Sequence, residues 1–501
     1  MSDGSGSATG SGAADRSARV GSARVGSATG RRLVDPVLLR TTAELAQAFL
    51  DSLPARPVGP TVGIDELRAR LGGDLPEEPL DPTAVIESLA SSVEGGLVAS
   101  AGPRYFGFVV GGSHPAALAA DWLSSAWDQN AAMYVMGPAA AVCEEVAGGW
   151  LKDVFGLPVE ASVGYTSGAT MASFTALAAG RHALLAREGW EVETRGLFEA
   201  PEIPVIVGDE AHVTIFAALQ MLGLGRERVT HVASDEQGRM RPDALRDALQ
   251  RLGRPALVCA QAGNVNSGAF DPLPAIVAAV RENGGWLHVD GAFGLWAAAS
   301  EARRHLVAGV GEADSWTTDA HKWLNVPYDS GLVFCADAGA HQAAMTLGAA
   351  YYVETTGAER DPYNWVPESS RRARGVPIYA TLRALGRRGL AELVEGCCQL
   401  AARFGQGLDG RPGVRVLNEV VLNQVVVRFS GPGDEAAAAD ERTRRVIGAI
   451  QRDGTLWAGG TTWRGRAALR ISVSNWSTTE DDVDRSLEAI LRVARECGVG
   501  A

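Results

Sequence analysis

From about Ser162 to Phe334, short apolar runs alternate with stretches of helical periodicity. The runs are Val205 to Val207, Val229 to Val232, Ala256 to Cys259, Trp286 to Asp290, Ser315 to Thr318 and Leu332 to Phe334, with helical patterns at Pro242 to Leu252 and Pro274 to Asn283. Strands this apolar are buried on both faces, so the alternation predicts an α/β fold with a mostly parallel sheet covered by helices. Ligands in such sheets bind beyond the carboxyl ends of the strands.

On the N-terminal side, helical stretches at Val37 to Leu53 and Pro82 to Ala99, joined by Pro- and Gly-rich connections, predict a helical arm over 33–114. The pattern stays helical from Pro115 to Phe155, with Pro138 placed to start a helix. After Arg374 come helical stretches at Ile378 to Arg388 and Leu390 to Leu408, strands at Gln424 to Phe429 and Ala468 to Val473, and a last helix at Thr479 to Cys497. The expected division is therefore a large α/β domain over 115–374 and a small α+β domain over 375–501. Residues 1–32 are almost entirely Gly, Ser, Ala, Thr and Arg. Such a segment buries too little apolar surface to offset its ordering entropy, and a disordered tail is expected.

The net charge of -13 argues against nucleic-acid or anionic-membrane partners, because both require clustered positive charge. A small-molecule substrate is the expected partner. Six cysteines without a CxxC pair read as free thiols in a reducing compartment. No apolar run reaches transmembrane length, and no hydrophobic signal core follows Met1, so a cytoplasmic location is expected.

Two polar residues interrupt the buried pattern. Asp290 ends the run Trp286-Leu287-His288-Val289-Asp290, and Lys322 follows the next run within Asp319-Ala320-His321-Lys322-Trp323. Taken singly, an aspartate there is more often a cap, and a lysine is more often solvated or lying over an aromatic. Together they match the minimum equipment for pyridoxal phosphate: a lysine to form an imine with the aldehyde, and an acid to keep the pyridine nitrogen protonated. Gly291 and Ala292 leave room for a planar ring. The segment Tyr165 to Thr170 precedes a helix from Met171 to Leu185, and such a helix start either binds phosphate or is simply N-capped by Ser167 or Thr170. His212, after Asp209-Glu210-Ala211, is either a helix-start residue or one that lies on a cofactor ring.

The motifs His288-Val289-Asp290-Gly291-Ala292, Asp209-Glu210-Ala211-His212 and Asp319 through Asp329 resemble those of the pyridoxal-phosphate-dependent group II amino-acid decarboxylases, which include the aromatic-amino-acid, glutamate and diaminobutyrate enzymes. The resemblance implies a fold type I enzyme, a homodimer with active sites at the subunit interface. It implies that Lys322 forms the internal aldimine, that Asp290 pairs with the pyridine nitrogen and that His212 stacks on the ring. By the same resemblance, Ala169, Thr170, Asp319 and His321 line the phosphate and imine region. Ala292 packs under the ring, Asn264 lies near the cofactor hydroxyl, and Arg470 meets the substrate carboxylate. The implied reaction removes the α-carboxylate of an L-amino acid through an external aldimine and quinonoid to give an amine and carbon dioxide. An aminotransferase, another lyase of this fold, or an oxidative aldehyde synthase is the alternative.

The pattern departs from the family in two places. The reprotonating tyrosine of many relatives aligns with Pro362, which leaves Tyr363 beside it as the candidate in a region that also holds Tyr351 and Tyr352. In Tyr105-Phe106-Gly107-Phe108, Gly107 replaces an aromatic residue, and Phe108 remains as the substrate-wall candidate. That replacement weakens the expectation of an aromatic substrate.

Overall fold

The computed structural model of the protein describes residues 34–346 and 359–500. The expected tail and the pair Tyr351 and Tyr352 lie outside the described residues.

The main sheet has seven strands: β1 (Ser162–Thr166), β2 (Val205–Gly208), β3 (Val229–Val232), β4 (Leu257–Gln261), β5 (Trp286–Asp290), β6 (Ser315–Asp319) and β7 (Gly331–Cys335). Their order is β1-β7-β6-β5-β4-β2-β3. Strands β3, β2, β4, β5 and β6 are parallel, while β7 runs antiparallel to both β6 and β1. The apolar runs become these strands, and burial on both faces explains their lack of alternation. Strand β1 carries no such run. Its Gly164 is needed because a Cβ there would come within 2.4 Å of the Trp365 carbonyl.

The helix Ala169–Arg187 packs across the sheet from β4 to β7. Its buried face includes Ala172, Ala176 and Ala179, and these small side chains bring the helix axis close to the strands. The carboxyl edge of the parallel strands thus meets the N-terminus of this helix. Asp290 closes β5 opposite Gln261 and Thr317, and Asp319 closes β6 opposite Gly331.

A second, antiparallel sheet is built from β8 (Val414–Val416), β9 (Gln424–Phe429), β10 (Gly459–Trp463) and β11 (Arg466–Ser472), in the order β10-β11-β9-β8. Helix Ala436–Asp453 packs on it through Ala439, Thr443, Val446, Ile447 and Ile450. No sequence expectation covered this helix, because its acidic and basic residues dilute the apolar stripe. The two stretches expected at Ile378 to Arg388 and Leu390 to Leu408 are the two helical segments of Gly375–Leu408, which non-helical backbone at Gly386, with φ 60 and ψ -177, separates. The helix expected to reach Ala99 stops at Val93, where Gly95 adopts φ 82.

A strap over residues 104–114 ties the two sheets together. The Trp457 N–H donates to Arg104 O at 3.1 Å, Phe106 N–H to Trp457 O at 2.7 Å, and Ser472 N–H to Phe106 O at 2.9 Å. At the far end, His114 N–H donates to Asn325 O at 2.7 Å, beside the turn that carries Lys322. The preceding helices Pro36–Ser52, Ile64–Leu71 and Pro82–Val93 contain no buried residue. Among the described residues, no helix is long and apolar enough to cross a membrane.

Candidate active site

At the carboxyl edge of β4, β5 and β6 lies a cavity of about 490 Å³. Its walls include Lys322, Asp290, His212, Ala169, Thr170, Ala292, Asp319, His321, Arg470 and Phe108, so these sequence candidates converge on one space. A cavity of similar size, about 510 Å³, lies near Phe155 and Arg304, and its one acid, Asp153, is paired with Arg387. The first cavity holds the titratable cluster, which marks it as the chemical site.

Lys322 sits three residues beyond the end of β6, and its Nζ lies 3.0 Å from Asp319 Oδ2. The other oxygen of Asp319, Oδ1, accepts from the Ala169 N–H at 2.6 Å, so one carboxylate joins the lysine to the helix start. Asp319 is 2% exposed and Asp290 is 5% exposed. Asp290 Oδ1 accepts from the Ala292 N–H at 3.1 Å, which orients the carboxylate at the strand end.

His212 resolves both of its sequence readings at once. It is the N-cap of helix Val213–Met221, its Nδ1 accepting from the Thr214 N–H at 3.3 Å and lying 2.7 Å from Thr214 Oγ1, while its ring lines the cavity. Burial lowers its pKa, an effect opposed by Asp290 and reinforced by Lys322. The neutral ring therefore carries its proton on Nε2. His321 follows the same logic: burial lowers its pKa, its Nδ1 accepts from the Ser330 N–H at 3.1 Å, and its ring stacks on Tyr328 with centroids 4.4 Å apart.

The helix start is built for an anion. Gly168 is the N-cap of Ala169–Arg187, and no side chain caps it, so neither Ser167 nor Thr170 plays that role. Ala169 N–H goes to Asp319, and the N–H groups of Thr170 and Met171 have no acceptor among the described residues. Two free donors at the positive end of a 19-residue helix fit a phosphate group. Close approach is secured by Gly331, where a Cβ would fall 2.5 Å from Gly168 Cα. Amine, ring acid and phosphate donors thus line one cavity, and the donor set fits pyridoxal phosphate.

Two candidates stand off the cavity wall. Tyr363 is buried against Ala132 and Met133, and its N–H donates to Ala132 O at 2.8 Å. Its turn is anchored where Asp361 Oδ1 accepts from the Tyr134 N–H at 2.7 Å. Asn264 is consumed by its own loop, Oδ1 accepting from the N–H groups of Asn266 and Ser267 at 2.9 and 3.2 Å. Arg470 forms no ion pair among the described residues. Its nearest polar partner is Asn266 Oδ1 at 3.5 Å, and burial lowers its pKa.

Sequence reasoning passed over Gln261, Thr214, Val265 and Phe293, all on the wall. Gln261 was findable, since it ends β4 as Asp290 ends β5. Thr214 carried a signal only as a residue two positions after His212.

The family model for the pyridoxal-dependent decarboxylase conserved domain matches residues 65–430. The L-2,4-diaminobutyrate decarboxylase of Rhizobium meliloti (strain 1021) is 31% identical over 388 residues, covering 76% of this chain and 75% of the relative. The aromatic-L-amino-acid decarboxylase of Bacillus atrophaeus is 25% identical over 460 residues, covering 90% and 93%. The crystal structure of Oryza sativa TDC with PLP and tryptamine superposes with a TM-score of 0.86 at 24% identity, covering 94% of this chain and all of that one. That likeness establishes the fold. The chain belongs to the pyridoxal-dependent decarboxylase family, and it is an amino-acid carboxy-lyase whose cofactor is pyridoxal phosphate.

Proposed function

We propose that the protein removes the α-carboxylate of an L-amino acid by a division of labour among Lys322, Asp290, His212 and Arg470. The observation that carries this reading is the convergence of Lys322, Asp290 and the free N–H groups of Thr170 and Met171 on one cavity. The bound cofactor supplies an aldehyde for the substrate amine and a ring that accepts the electron pair of the breaking bond.

Each residue then has a defined task. Lys322 Nζ would hold the cofactor through its aldehyde, with the Asp319 carboxylate 3.0 Å away fixing the position of the amine. The Asp290 carboxylate would hold a proton on the ring nitrogen, because a negative charge in a buried site favours a protonated ring. His212, neutral through burial, offers a flat face against the ring, and Thr214 locks its rotation. Arg470, without a carboxylate of its own, receives the substrate carboxylate and holds it for cleavage. The bond from the α-carbon to the carboxylate breaks, carbon dioxide leaves, and the α-carbon takes one proton to give the amine.

The active unit in this reading is a homodimer. Support comes from helices Pro36–Ser52, Ile64–Leu71 and Pro82–Val93, which bury no residue while exposing Leu39, Ile64, Leu71 and Leu89. Helices with such apolar faces need a partner surface. The free thiols, including buried Cys259, Cys335, Cys397 and Cys398, support a reducing, cytoplasmic setting. We divide the chain at 33–114, 115–374 and 375–501 into arm, large domain and small domain.

The test is incubation of the purified holoenzyme with each proteinogenic amino acid, measuring carbon dioxide, amine, 2-oxo acid and aldehyde. Equal amounts of carbon dioxide and amine are expected. Amino transfer that depends on an added keto acid overturns the reading, and aldehyde formed with hydrogen peroxide replaces it with the oxidative one.

A further inference from the structure

We propose that the substrate side chain is uncharged and aromatic, and that Trp457 selects it by holding Phe108 against the cavity; the inference rests on the decarboxylase reading above. Two independent observations carry it.

The first is the charge inventory of the wall. The titratable groups lining the cavity are Asp290, Asp319, Lys322, Arg470, His212 and His321. Asp319 is committed to Lys322 and the Ala169 N–H, and Asp290 serves the ring nitrogen. Burial lowers the pKa of both histidines and keeps them neutral. Among the described residues, no acid on the wall remains for a cationic side chain. Among the described residues of the wall, Arg470 is the one cation besides Lys322, and the α-carboxylate uses it, so a second carboxylate finds no partner there. A charged side chain would be desolvated without compensation. An uncharged one would meet Phe108, Val109 and Val265.

The second observation is how Phe108 is held. Val110 N–H donates to Gly107 O at 3.2 Å, closing a tight turn whose central residues Phe108 and Val109 have φ 52 and 59. Left-handed backbone is unfavourable for any residue with a side chain, and a β-branched residue there is a genuine outlier. The strain places a phenyl ring that is 62% exposed on the cavity wall. Trp457 supports it from behind, with centroids 5.3 Å apart, and Tyr105 stacks on the same indole at 5.1 Å and 11°. Gly107 explains the arrangement: a Cβ there would sit 2.2 Å from Trp457 Cζ3. The aromatic surface missing at position 107 is thus supplied from the C-terminal sheet region. The sequence expectation that Gly107 weakens an aromatic substrate reverses once Trp457 is in view. Aromatic rings packed edge-on or offset against such a wall gain beyond their buried area.

The experiment compares kcat/KM of the wild-type holoenzyme for L-phenylalanine, L-tyrosine and L-tryptophan with that for L-glutamate and L-2,4-diaminobutyrate. At least about a tenfold preference for one aromatic substrate is expected, the discrimination a shaped apolar pocket supplies. In Trp457→Ala, that preference falls about tenfold, mainly through KM, and Trp457→Phe restores most of it. A merely structural role would lower all substrates equally, and that outcome overturns the assignment of Trp457. Preference for glutamate or diaminobutyrate overturns the substrate class while leaving decarboxylation standing. No carbon dioxide from any amino acid overturns decarboxylation itself and this inference with it.

Discussion

The wall formed by Asp290, His212 and the start of helix Ala169–Arg187 faces a wall formed by Phe108, Val109 and Arg470 across one cavity, and the two are held by different means. On the first wall, each group is fixed within its own segment or by the adjoining strand end. His212 is locked by Thr214, Asp290 by Ala292, and Asp319 by Ala169 and Lys322. On the second wall, Phe108 sits in a left-handed turn against Trp457, and Arg470 arrives on β11 of the other sheet. The first wall is thus placed on buried strand ends, and the substrate choice proposed above would rest on segments distant in the chain.

The sharpest break in this comparison is Lys322→Ala. Carbon dioxide release is expected to fall on the order of 10⁴-fold, because the anchoring amine acts as a unit with the rest of the site. Thermal unfolding should change little, since the Lys322 side chain is partly exposed at 19%. A Lys322→Ala protein that retains turnover within tenfold of wild type would falsify the assignment of the first wall.

Asp290→Asn is expected to lower turnover by about 10³, the scale of losing one preorganised electrostatic partner. The neutral amide keeps the hydrogen bond from Ala292 but no longer favours a protonated ring nitrogen. Single-turnover kinetics with unchanged cofactor content would check this. Loss of cofactor alone, with normal turnover in the loaded fraction, counts against it.

A third prediction concerns how deeply β5 is buried beneath the site. His288, two residues before Asp290, is fully buried, and burial pushes its pKa from 6.5 down to about 3. The unfolded chain then binds the proton that the folded one refuses, so stability is present above pH 6.5 and lost as pH falls toward the folded value. Between pH 6.5 and about 5 this group alone removes roughly 2 kcal/mol. Urea unfolding of wild type and His288→Gln at both values should show the smaller pH slope in the variant, and equal slopes reject the account.

The smallest effect is expected from Thr214→Val, which deletes the hydroxyl 2.7 Å from His212 Nδ1. Groups that orient a site residue cost about tenfold or more when removed. The loss should appear alike for aromatic and charged amino acids, in contrast to Trp457→Ala. A substrate-dependent effect of Thr214→Val would blur the two walls into one.

Much of the first wall was legible in order along the chain. The apolar run ending in Asp290 and the motif around Lys322 are continuous segments, and each, ambiguous alone, gained its meaning from the other. The phosphate turn was half legible: the helix was visible, but only the structure leaves Gly168 as its cap and frees the Thr170 and Met171 N–H groups. For Tyr363 and Asn264 the sequence carried no sign of the turn held by Asp361 or of the loop that takes up the Asn264 side-chain oxygen, because those contacts form only in the folded chain.

The amino-acid sequence determined the mostly parallel α/β sheet and the cofactor, because period, burial and strand-end chemistry are local properties of short segments. Tertiary structure decided that Trp457 fills the space above Gly107 and that Arg470, without an ion pair among the described residues, lines the cavity. Those outcomes depend on contacts between residues far apart in the chain, where packing between the two sheets, rather than any local preference, sets which side chains meet.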